Sequence, residues 1–252
     1  MRDTNKKLNF ALCLCTIVFS LNTLPALATP VIGISDMYDV LKPDEKTRIK
    51  RIYNTGDSTA FVRVEHFEII PATKSKPEVQ LENNAQDVLN KNSLIVTPLR
   101  MIIPPGGFQT SRMLWAGSRD KERYFRIRYK PVMPTKENGF DDSTIAESKN
   151  EKVSAGLNVM TGYGTIVVIP PEKPLYDTQI QNKMNIEVGV KNNGNATIVL
   201  DKIRICSAKT KKCSPPTKQL VLPNTEFTLK KEKGDSITLD LFEGNSSKKM
   251  TL

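Results

Sequence analysis

The sequence predicts an all-β fold of two immunoglobulin-like β-sandwich domains, and three observations support this prediction. Short segments rich in Val, Ile, Thr, Tyr and Phe recur along the chain with turn residues between them. No convincing amphipathic helix interrupts these segments. The stretch from Ile169 to Pro174 then separates two series of them, because its three prolines remove backbone donors and restrict their neighbours. Such a pattern is typical of immunoglobulin-like sandwiches.

Each predicted strand is bounded by turn residues such as N-T-G-D, P-P-G-G or N-N-G-N. The polar, charged stretch from Lys136 to Lys152 predicts a mobile loop. The first series comprises Arg48 to Tyr53, Thr59 to Ile70, Leu94 to Ile103, Gln109 to Trp115, Arg123 to Val132 and Val153 to Ile169. The second comprises Met184 to Val190, Thr197 to Cys206, Gln219 to Leu222, Glu226 to Leu229 and Ser236 to Phe242.

The segment from Arg123 to Val132 alternates between apolar and cationic residues. At the two-residue period of a strand, Phe125, Ile127 and Tyr129 share one face, and Arg126, Arg128 and Lys130 share the other. The cationic face could dock an acidic or carboxylate-bearing partner, or it could be a solvated surface.

Residues 1–28 predict a cleaved export signal. A positively charged start precedes the apolar run from Leu8 to Leu21, and Ala26-Leu27-Ala28 fits a cleavage site. The run is too short for a stable bilayer anchor, and no later segment is apolar for long enough, so we expect no membrane insertion. We expect an exported, soluble chain with one domain over residues 29–171 and a second over residues 172–252.

The exported chain would keep two cysteines, Cys206 and Cys213, in the sequence C-S-A-K-T-K-K-C. In an oxidising compartment a disulfide between them is expected. A zinc site is the alternative, and it would need further ligands.

The chain is basic, with a formal net charge of +10. Export leaves little opportunity for nucleic-acid binding, and no block of Lys and Arg is longer than three residues. Acidic proteins or a bacterial surface are better candidates as partners.

No pattern predicts catalysis, a cofactor or a metal site. Ser118-Arg119-Asp120-Lys121 matches S-x-x-K, the signature of one serine-hydrolase class, but it lies in a turn and does not open a helix. Gly162-Tyr163-Gly164 has no helix after it and is more typical of a bulge or a close backbone approach. The single histidine, His66, is expected to be hydrogen-bonded at a strand surface. We therefore expect a protein that is not an enzyme.

The block from Leu94 to Pro134 resembles the first domain of the periplasmic chaperones that assemble pili with an outer-membrane usher. It contains V-T-P at Val96 to Pro98, P-G at Pro105-Gly106 and D-K-E at Asp120 to Glu122, in the order found in that family. The segment P-D-E-K-T-R-I-K-R-I-Y-N-T-G is similar to the family's first two strands. The resemblance covers Val31 to about Pro171.

The resemblance implies two domains in an L shape and a function in donor-strand complementation in the periplasm. A pilin subunit lacks a strand, and the chaperone lends it one by backbone pairing and insertion of alternate apolar side chains. Here the lent strand would lie within Val153 to Ile169, with Val153, Leu157, Val159 and Tyr163 as the inserted side chains. Alternatively, these side chains face the domain's own core. The implied partners are fimbrial subunits and the usher, and the free protein would be a monomer or a weak self-capping dimer.

In most members of this family an arginine and a lysine anchor the terminal carboxylate of the bound pilin. This chain lacks both residues. In this respect it resembles the alternate branch of the family, which serves common-pilus and colonisation-factor fimbriae. Thr165 as a hydroxyl donor, with charge from Arg126 and Arg128, is the anchor that we predict. The alternative function is a secreted two-domain adhesin or pilin-like structural subunit. Such a subunit would lack a strand or carry a free donor extension, whereas the sequence from Val31 predicts an integral first strand.

Overall fold

The fold was analysed in a computed structural model, which describes residues 29–71, 78–82, 93–150 and 160–252. The first ten strands belong to the N-terminal domain. They are β1 (Ile32–Ile34), β2 (Tyr38–Val40), β3 (Thr47–Asn54), β4 (Ala60–Ile69), β5 (Glu78–Leu81), β6 (Leu94–Thr97), β7 (Arg100–Ile103), β8 (Phe108–Trp115), β9 (Arg123–Pro131) and β10 (Tyr163–Ile169).

These strands form two sheets around one core. One sheet has the order β1-β3-β8-β6, and the other has the order β2-β10-β9-β4-β5, with β7 also paired to β4. The predicted alternation in β9 is confirmed, since Phe125, Ile127 and Tyr129 are fully buried. They pack in the same core as Ile52 and Met113 of the opposite sheet. The period of two thus places every second side chain of these strands between the sheets.

The predicted strand from Leu94 to Ile103 is two strands in different sheets. β6 pairs with β8, and β7 pairs with β4 of the other sheet. Pro98 lies at the break, where its missing N–H cannot continue a ladder of backbone hydrogen bonds.

His66 also differs from expectation, since only 2% of it is exposed. It shares the inner face of β4 with Val62 and Val64.

The predicted mobile loop from Lys136 to Lys152 contains a helix, α1 (Asp142–Asn150). Asp141 caps it, because its Oδ1 accepts hydrogen bonds from the Thr144 backbone N–H and the Ser143 hydroxyl, both at 2.7 Å. The bonds from Thr144 and Ser143 lower the pKa of Asp141 to about 2. The sequence D-D-S-T carried this cap signal, but the helix lacks an apolar face that would have revealed it.

The C-terminal domain is a second, smaller sandwich. One sheet is β11 (Thr178–Lys183), β12 (Glu187–Asn192) and β15 (Thr225–Lys230), in that order. The other has the order β14 (Thr217–Val221), β13 (Ile198–Cys206), β16 (Ser236–Glu243) and β17 (Ser246–Thr251). Val188 and Val190 of the first sheet and Leu200 and Leu241 of the second lie in its core. The two-sandwich, all-β fold class is therefore confirmed.

The predicted disulfide between Cys206 and Cys213 is present. It closes a short loop at the end of β13, in which the Ser207 N–H donates to the Lys212 carbonyl at 2.9 Å. A covalent closure of this kind restricts the unfolded chain and fixes the loop.

The two domains meet in a small apolar cluster. Tyr124 of β9 and Val168 of β10 pack with Leu220 of β14, and Val199 joins at its margin. A pocket of about 400 Å³ lies beside this contact, lined by residues of both domains. β10 ends at Ile169 and β11 begins at Thr178, and the domain boundary after Pro171 stays a prediction within that interval.

Candidate functional site

The candidate site begins at β10, which has a different partner along each edge. Its edge toward β9 is paired antiparallel over the whole strand, from Tyr163 to Ile169. Its other edge pairs in parallel with β2 only from Ile166 to Val168. Within the described residues, no strand covers Tyr163, Gly164 and Thr165 on that side. We call these three residues the donor edge. The Ile166 N–H donates to the Met37 carbonyl on that side. Because backbone groups alternate between the two edges of a strand, those of Gly164 face the vacant strand position.

The structure describes one of the four predicted donor side chains, Tyr163. Val153, Leu157 and Val159 lie outside the described residues. Tyr163 is half-buried and packs against the core of the N-terminal domain. It shares its parity with Thr165, which is fully buried, so the odd-numbered positions of β10 face inward at this point. Whether Tyr163 enters a partner stays a prediction.

The pairing of β10 with β9 sets the strand register after Gly162. Residues 163–169 pair without a break, from Tyr163 opposite Tyr129 to Ile169 opposite Arg123, so no bulge lies within this strand. A Cβ atom at Gly162 would lie 2.9 Å from the Tyr129 carbonyl oxygen. This glycine therefore permits the close backbone approach that the sequence suggested.

The predicted anchor residues do not lie on one face. Thr165 is opposite Ile127 and turns into the core, whereas Arg126 and Arg128 lie on the other face of the same sheet. The Thr165 hydroxyl is buried and has no hydrogen-bond partner in the described part of the chain. A buried hydroxyl without a hydrogen-bond partner costs free energy, so a bound group that accepts its hydrogen bond would recover that cost. The structure does not bring Thr165 together with the two arginines.

The cationic face of β9 is already matched by a carboxylate from β5. Glu78 contacts Arg126 Nε at 2.8 Å through one oxygen and Arg128 at 2.6 Å through the other. The Arg128 guanidinium also lies 4.3 Å from the centre of the Phe67 ring. Both arginines remain more than one-third exposed, so the pairs are surface contacts of modest strength.

A buried lysine that sequence reasoning missed lies between the sheets. Lys50 of β3 is 2% exposed, and its Nζ lies 2.8 Å from Asp39 Oδ2 and 2.5 Å from the Asp36 carbonyl oxygen. Asp39 is the register partner of Val167 on β10. The signal was available, since Lys50 shares its parity with Ile52 and Asn54 and so falls on the inner face of β3.

Two buried hydroxyl groups lie in the same core as Lys50. Ser111 is the register partner of Lys50 on β8, and Tyr129 lies on β9. Both side chains are fully buried. Burial raises the pKa of Tyr129 far above its ordinary value, and the nearby Asp39 carboxylate raises it further. Tyr129 is therefore a neutral hydroxyl at any physiological pH. Thr165 also faces this core, two residues before Val167, which is the register partner of Asp39. We call Asp39, Lys50, Ser111, Tyr129 and Thr165 the inner polar cluster.

The half-buried carboxylate of Glu122 links the two domains. Glu122 Oε2 accepts a hydrogen bond from the Thr197 backbone N–H at 2.7 Å, and its Oε1 accepts from the hydroxyls of Thr197 and Tyr124. Burial raises the pKa of Glu122, although the bonds from Thr197 and Tyr124 oppose the shift. Three donors from two domains thus converge on one carboxyl group.

We expect the pH dependence of stability to change in Glu122→Gln. Above the ordinary Glu pKa of 4.5, the folded state keeps a proton on Glu122 that the unfolded state has released. The free energy of unfolding that this group contributes is therefore full at lower pH and is lost as the pH rises through the raised pKa. Glutamine removes this contribution. Urea unfolding from about pH 4 to about pH 7 measures it.

The exposed Glu137→Gln is the matched control for the loss of one carboxylate. A gap between wild type and Glu122→Gln that stays constant over this pH range would contradict the expectation.

The described residues contain no group of three or more His, Cys, Asp and Glu side chains that could hold a metal ion. Ser118 and Lys121 line a shallow surface pocket with Glu68, Asp120 and Arg123. None of the described helices is long and apolar enough to cross a membrane.

Comparison with known proteins gives two relatives and a shared fold. No family model matches the chain. The B subunit of CS1 fimbriae of Escherichia coli is 24% identical over 157 residues, which span 62% of this chain and 60% of the relative. The A subunit of CFA/I fimbriae of Escherichia coli is 23% identical over 164 residues, which span 64% of this chain and 63% of the relative. The chain thus aligns with less than two-thirds of either relative's length.

Among solved structures, the class 5 fimbriae chaperone CfaA superposes with a TM-score of 0.51 at 18% sequence identity, covering 87% of this chain and 98% of that one. The match extends over both sandwiches. The predicted resemblance to pilus-assembly chaperones is confirmed at the level of the fold. This chain therefore has the two-domain β-sandwich fold seen in the class 5 fimbriae chaperone CfaA.

Proposed function

We propose that this protein is a periplasmic chaperone that binds fimbrial subunits by donor-strand complementation and delivers them to an outer-membrane usher. The observation that carries the proposal is the donor edge. β10 is paired with β9 along one side over its whole length, and the backbone N–H and C=O of Gly164 face the other side, where the described residues supply no strand. An extended segment of a partner can add there as a strand.

The proposed binding uses backbone and side chains for different purposes. Backbone hydrogen bonds along the lent strand give affinity for any pilin that lacks a strand, and they cover an edge that would otherwise aggregate. Val153, Leu157 and Val159 continue the inward parity of Tyr163 toward the N-terminus of the lent strand. The side chains of that parity in the lent strand would fill the groove of a pilin.

Export fits this proposal. Residues 1–28 would direct the chain to the periplasm and be removed there. The Cys206–Cys213 disulfide suits that oxidising compartment. The proposed action is binding alone, with no catalytic step and no cofactor.

The alternative is a pilin-like structural subunit, and the names of the two E. coli relatives favour it, since both are called fimbrial subunits. The strand pairing favours a chaperone. β1 pairs with β3 through all three of its residues, and β2 pairs with β10. The N-terminal segment of the described chain is therefore an integral part of the sandwich rather than a free donor extension.

Co-expression with fimbrial subunits from the same genome distinguishes the two functions. A chaperone is expected to be recovered from the periplasm as a soluble one-to-one complex with a pilin. A structural subunit would instead appear in surface fibres. Recovery of the chain within purified fibres would overturn the proposed function.

We propose that the inner polar cluster anchors the terminal carboxylate of the bound pilin. The ammonium group of Lys50 has three N–H donors, and the contacts to Asp36 and Asp39 use two of them. The Thr165 hydroxyl adds a donor that has no other partner among the described residues. In this proposal Lys50, rather than Arg126 and Arg128, supplies the positive charge of the anchor. The two arginines face away from Thr165 and contact Glu78.

Thr165→Val tests this anchor without disturbing the fold. Replacing a buried, unpartnered hydroxyl with a methyl group is expected to leave the free protein as stable or stabilise it by up to about 1 kcal/mol. Affinity for a pilin is expected to fall about tenfold or more, because a hydrogen bond to a charged group is lost. Titration calorimetry with a peptide from the C-terminus of a pilin measures the affinity. Thr110→Val, at an exposed position of β8, is the control, and equal affinity for both variants would exclude Thr165 from the anchor.

A further inference from the structure

The end of the C-terminal domain that lies away from the N-terminal domain is built from three neighbouring turns. The opposite end carries Leu222 and Pro223, which line a groove with Glu122 and Tyr124 of the N-terminal domain. We call the far end the distal tip. It consists of Lys183–Glu187 between β11 and β12, the disulfide loop Cys206–Cys213, and Lys230–Asp235 between β15 and β16.

Hydrogen bonds hold the three turns together. The Ala208 N–H donates to Asp235 Oδ1 at 2.9 Å, which ties the disulfide loop to the third turn. The Lys231 N–H donates to the Ile186 carbonyl at 2.8 Å, which ties the third turn to the first. Together with the disulfide, these contacts make one continuous and ordered surface.

The distal tip is strongly basic, and all its cations are lysines. Its three segments contain seven lysines, no arginine and three acidic residues. Lys211, Lys212, Lys231 and Lys233 form no ion pair with the described part of the chain. Their positive charge is therefore available to an external anionic surface.

Two large apolar side chains project beside these lysines. Met184 is 89% exposed and Ile186 is 44% exposed. Met184 and Asn185 have φ angles of 53° and 59°, in a left-handed conformation that is uncommon for residues other than glycine. The tight turn thus holds a methionine in solvent at the outermost point of the hairpin, with Lys183 adjoining it.

We propose that the distal tip is a peripheral docking surface for an anionic phospholipid bilayer. Lysine suits such a surface, because a flexible point charge follows mobile phosphate groups without needing the fixed fork geometry of arginine. Protein interfaces favour aromatic residues and arginine and are depleted in lysine, and the distal tip has neither tryptophan, tyrosine nor arginine. An apolar turn flanked by lysines matches the headgroup boundary, where Met184 and Ile186 contact acyl chains while the lysines contact phosphates.

This inference does not depend on the proposed chaperone function. It places the donor edge on one domain and the bilayer contact at the far end of the other. A protein docked in this way keeps β10 free for a partner.

Vesicle flotation of the purified protein tests the proposal. Binding is expected to vesicles of phosphatidylcholine mixed with phosphatidylglycerol, to be absent with phosphatidylcholine alone, and to weaken as salt is added. Lys211→Glu with Lys212→Glu is expected to weaken binding by about 30-fold or more. Met184→Ser is expected to weaken it by about threefold to tenfold without altering the salt dependence.

Lys248→Glu with Lys249→Glu is the matched control, because it makes the same charge change on β17, near the turn that joins β16 to β17. Thermal melting checks that each variant folds. Equal loss of binding in the β17 variant would show that only net charge matters and would overturn the assignment to the distal tip. Absence of vesicle binding by the wild type, or binding to poly-glutamate in its place, would overturn the lipid proposal.

Discussion

Replacing Leu157 and Val159 with aspartate is expected to abolish the one-to-one complex with a fimbrial subunit. Each apolar side chain buried in a partner's groove contributes about 1.5 to 3 kcal/mol, and a buried carboxylate without a partner adds a further penalty. Affinity should therefore fall by more than about 100-fold. Copurification from the periplasm with a tagged pilin measures the effect.

The comparison depends on a control within the same segment. Asn158→Asp introduces one such charge at the opposite parity, where the side chain of an inserted strand would face away from the groove. It is expected to retain the complex. Copurification of the Leu157→Asp and Val159→Asp variant at wild-type yield would exclude this segment as the lent strand.

Lys50→Met is expected to lower the free energy of unfolding of the N-terminal domain by about 3 to 5 kcal/mol. The substitution leaves Asp39 buried without its cation, and an uncompensated buried charge is among the most destabilising changes in a protein. Trp115 is the only tryptophan of the chain and is buried in this domain, so its fluorescence during urea unfolding reports on the N-terminal domain alone.

Two further variants separate charge burial from loss of packing. Lys130→Met removes the cation from an exposed pair with Glu65 at 3.3 Å and is expected to cost less than about 1 kcal/mol. The double variant Lys50→Met with Asp39→Leu is expected to regain most of the loss, because no unpaired charge remains. If the double variant were less stable than Lys50→Met alone, the ion pair would not be the cause.

The strand pattern and the fold class could be predicted because alternation is a local signal. Phe125, Ile127 and Tyr129 occupy the inner face as expected, and the disulfide joins the expected cysteines. The helix α1 was missed because its apolar residues, Ile145 and Ala146, are adjacent and form no apolar face with helical spacing. The break at Pro98 was missed because the change of sheet depends on partners that are distant in sequence.

The candidate site was less predictable than the fold. Whether Arg126 and Arg128 are free depends on Glu78, which lies far from them in sequence and reaches them only when β5 joins the sheet beside β4. Lys50 shows the opposite case. Its parity placed it inside the sandwich, but a lysine among charged neighbours is ordinarily taken as solvated, and Asp39 as its partner follows only from the folded arrangement.

The short strand β10 takes part in two contacts that are separate in function. Its first residues form the donor edge, and Val168 near its other end packs against the second domain with Tyr124 and Leu220. A paired strand is stiff, so a change in its twist at one end is transmitted along its length. If a pilin adds to the donor edge as proposed, the bound strand and the contact between the domains share one strand of seven residues. A strand bound at the donor edge would then alter the packing of Val168 against Tyr124 and Leu220 where the two domains meet.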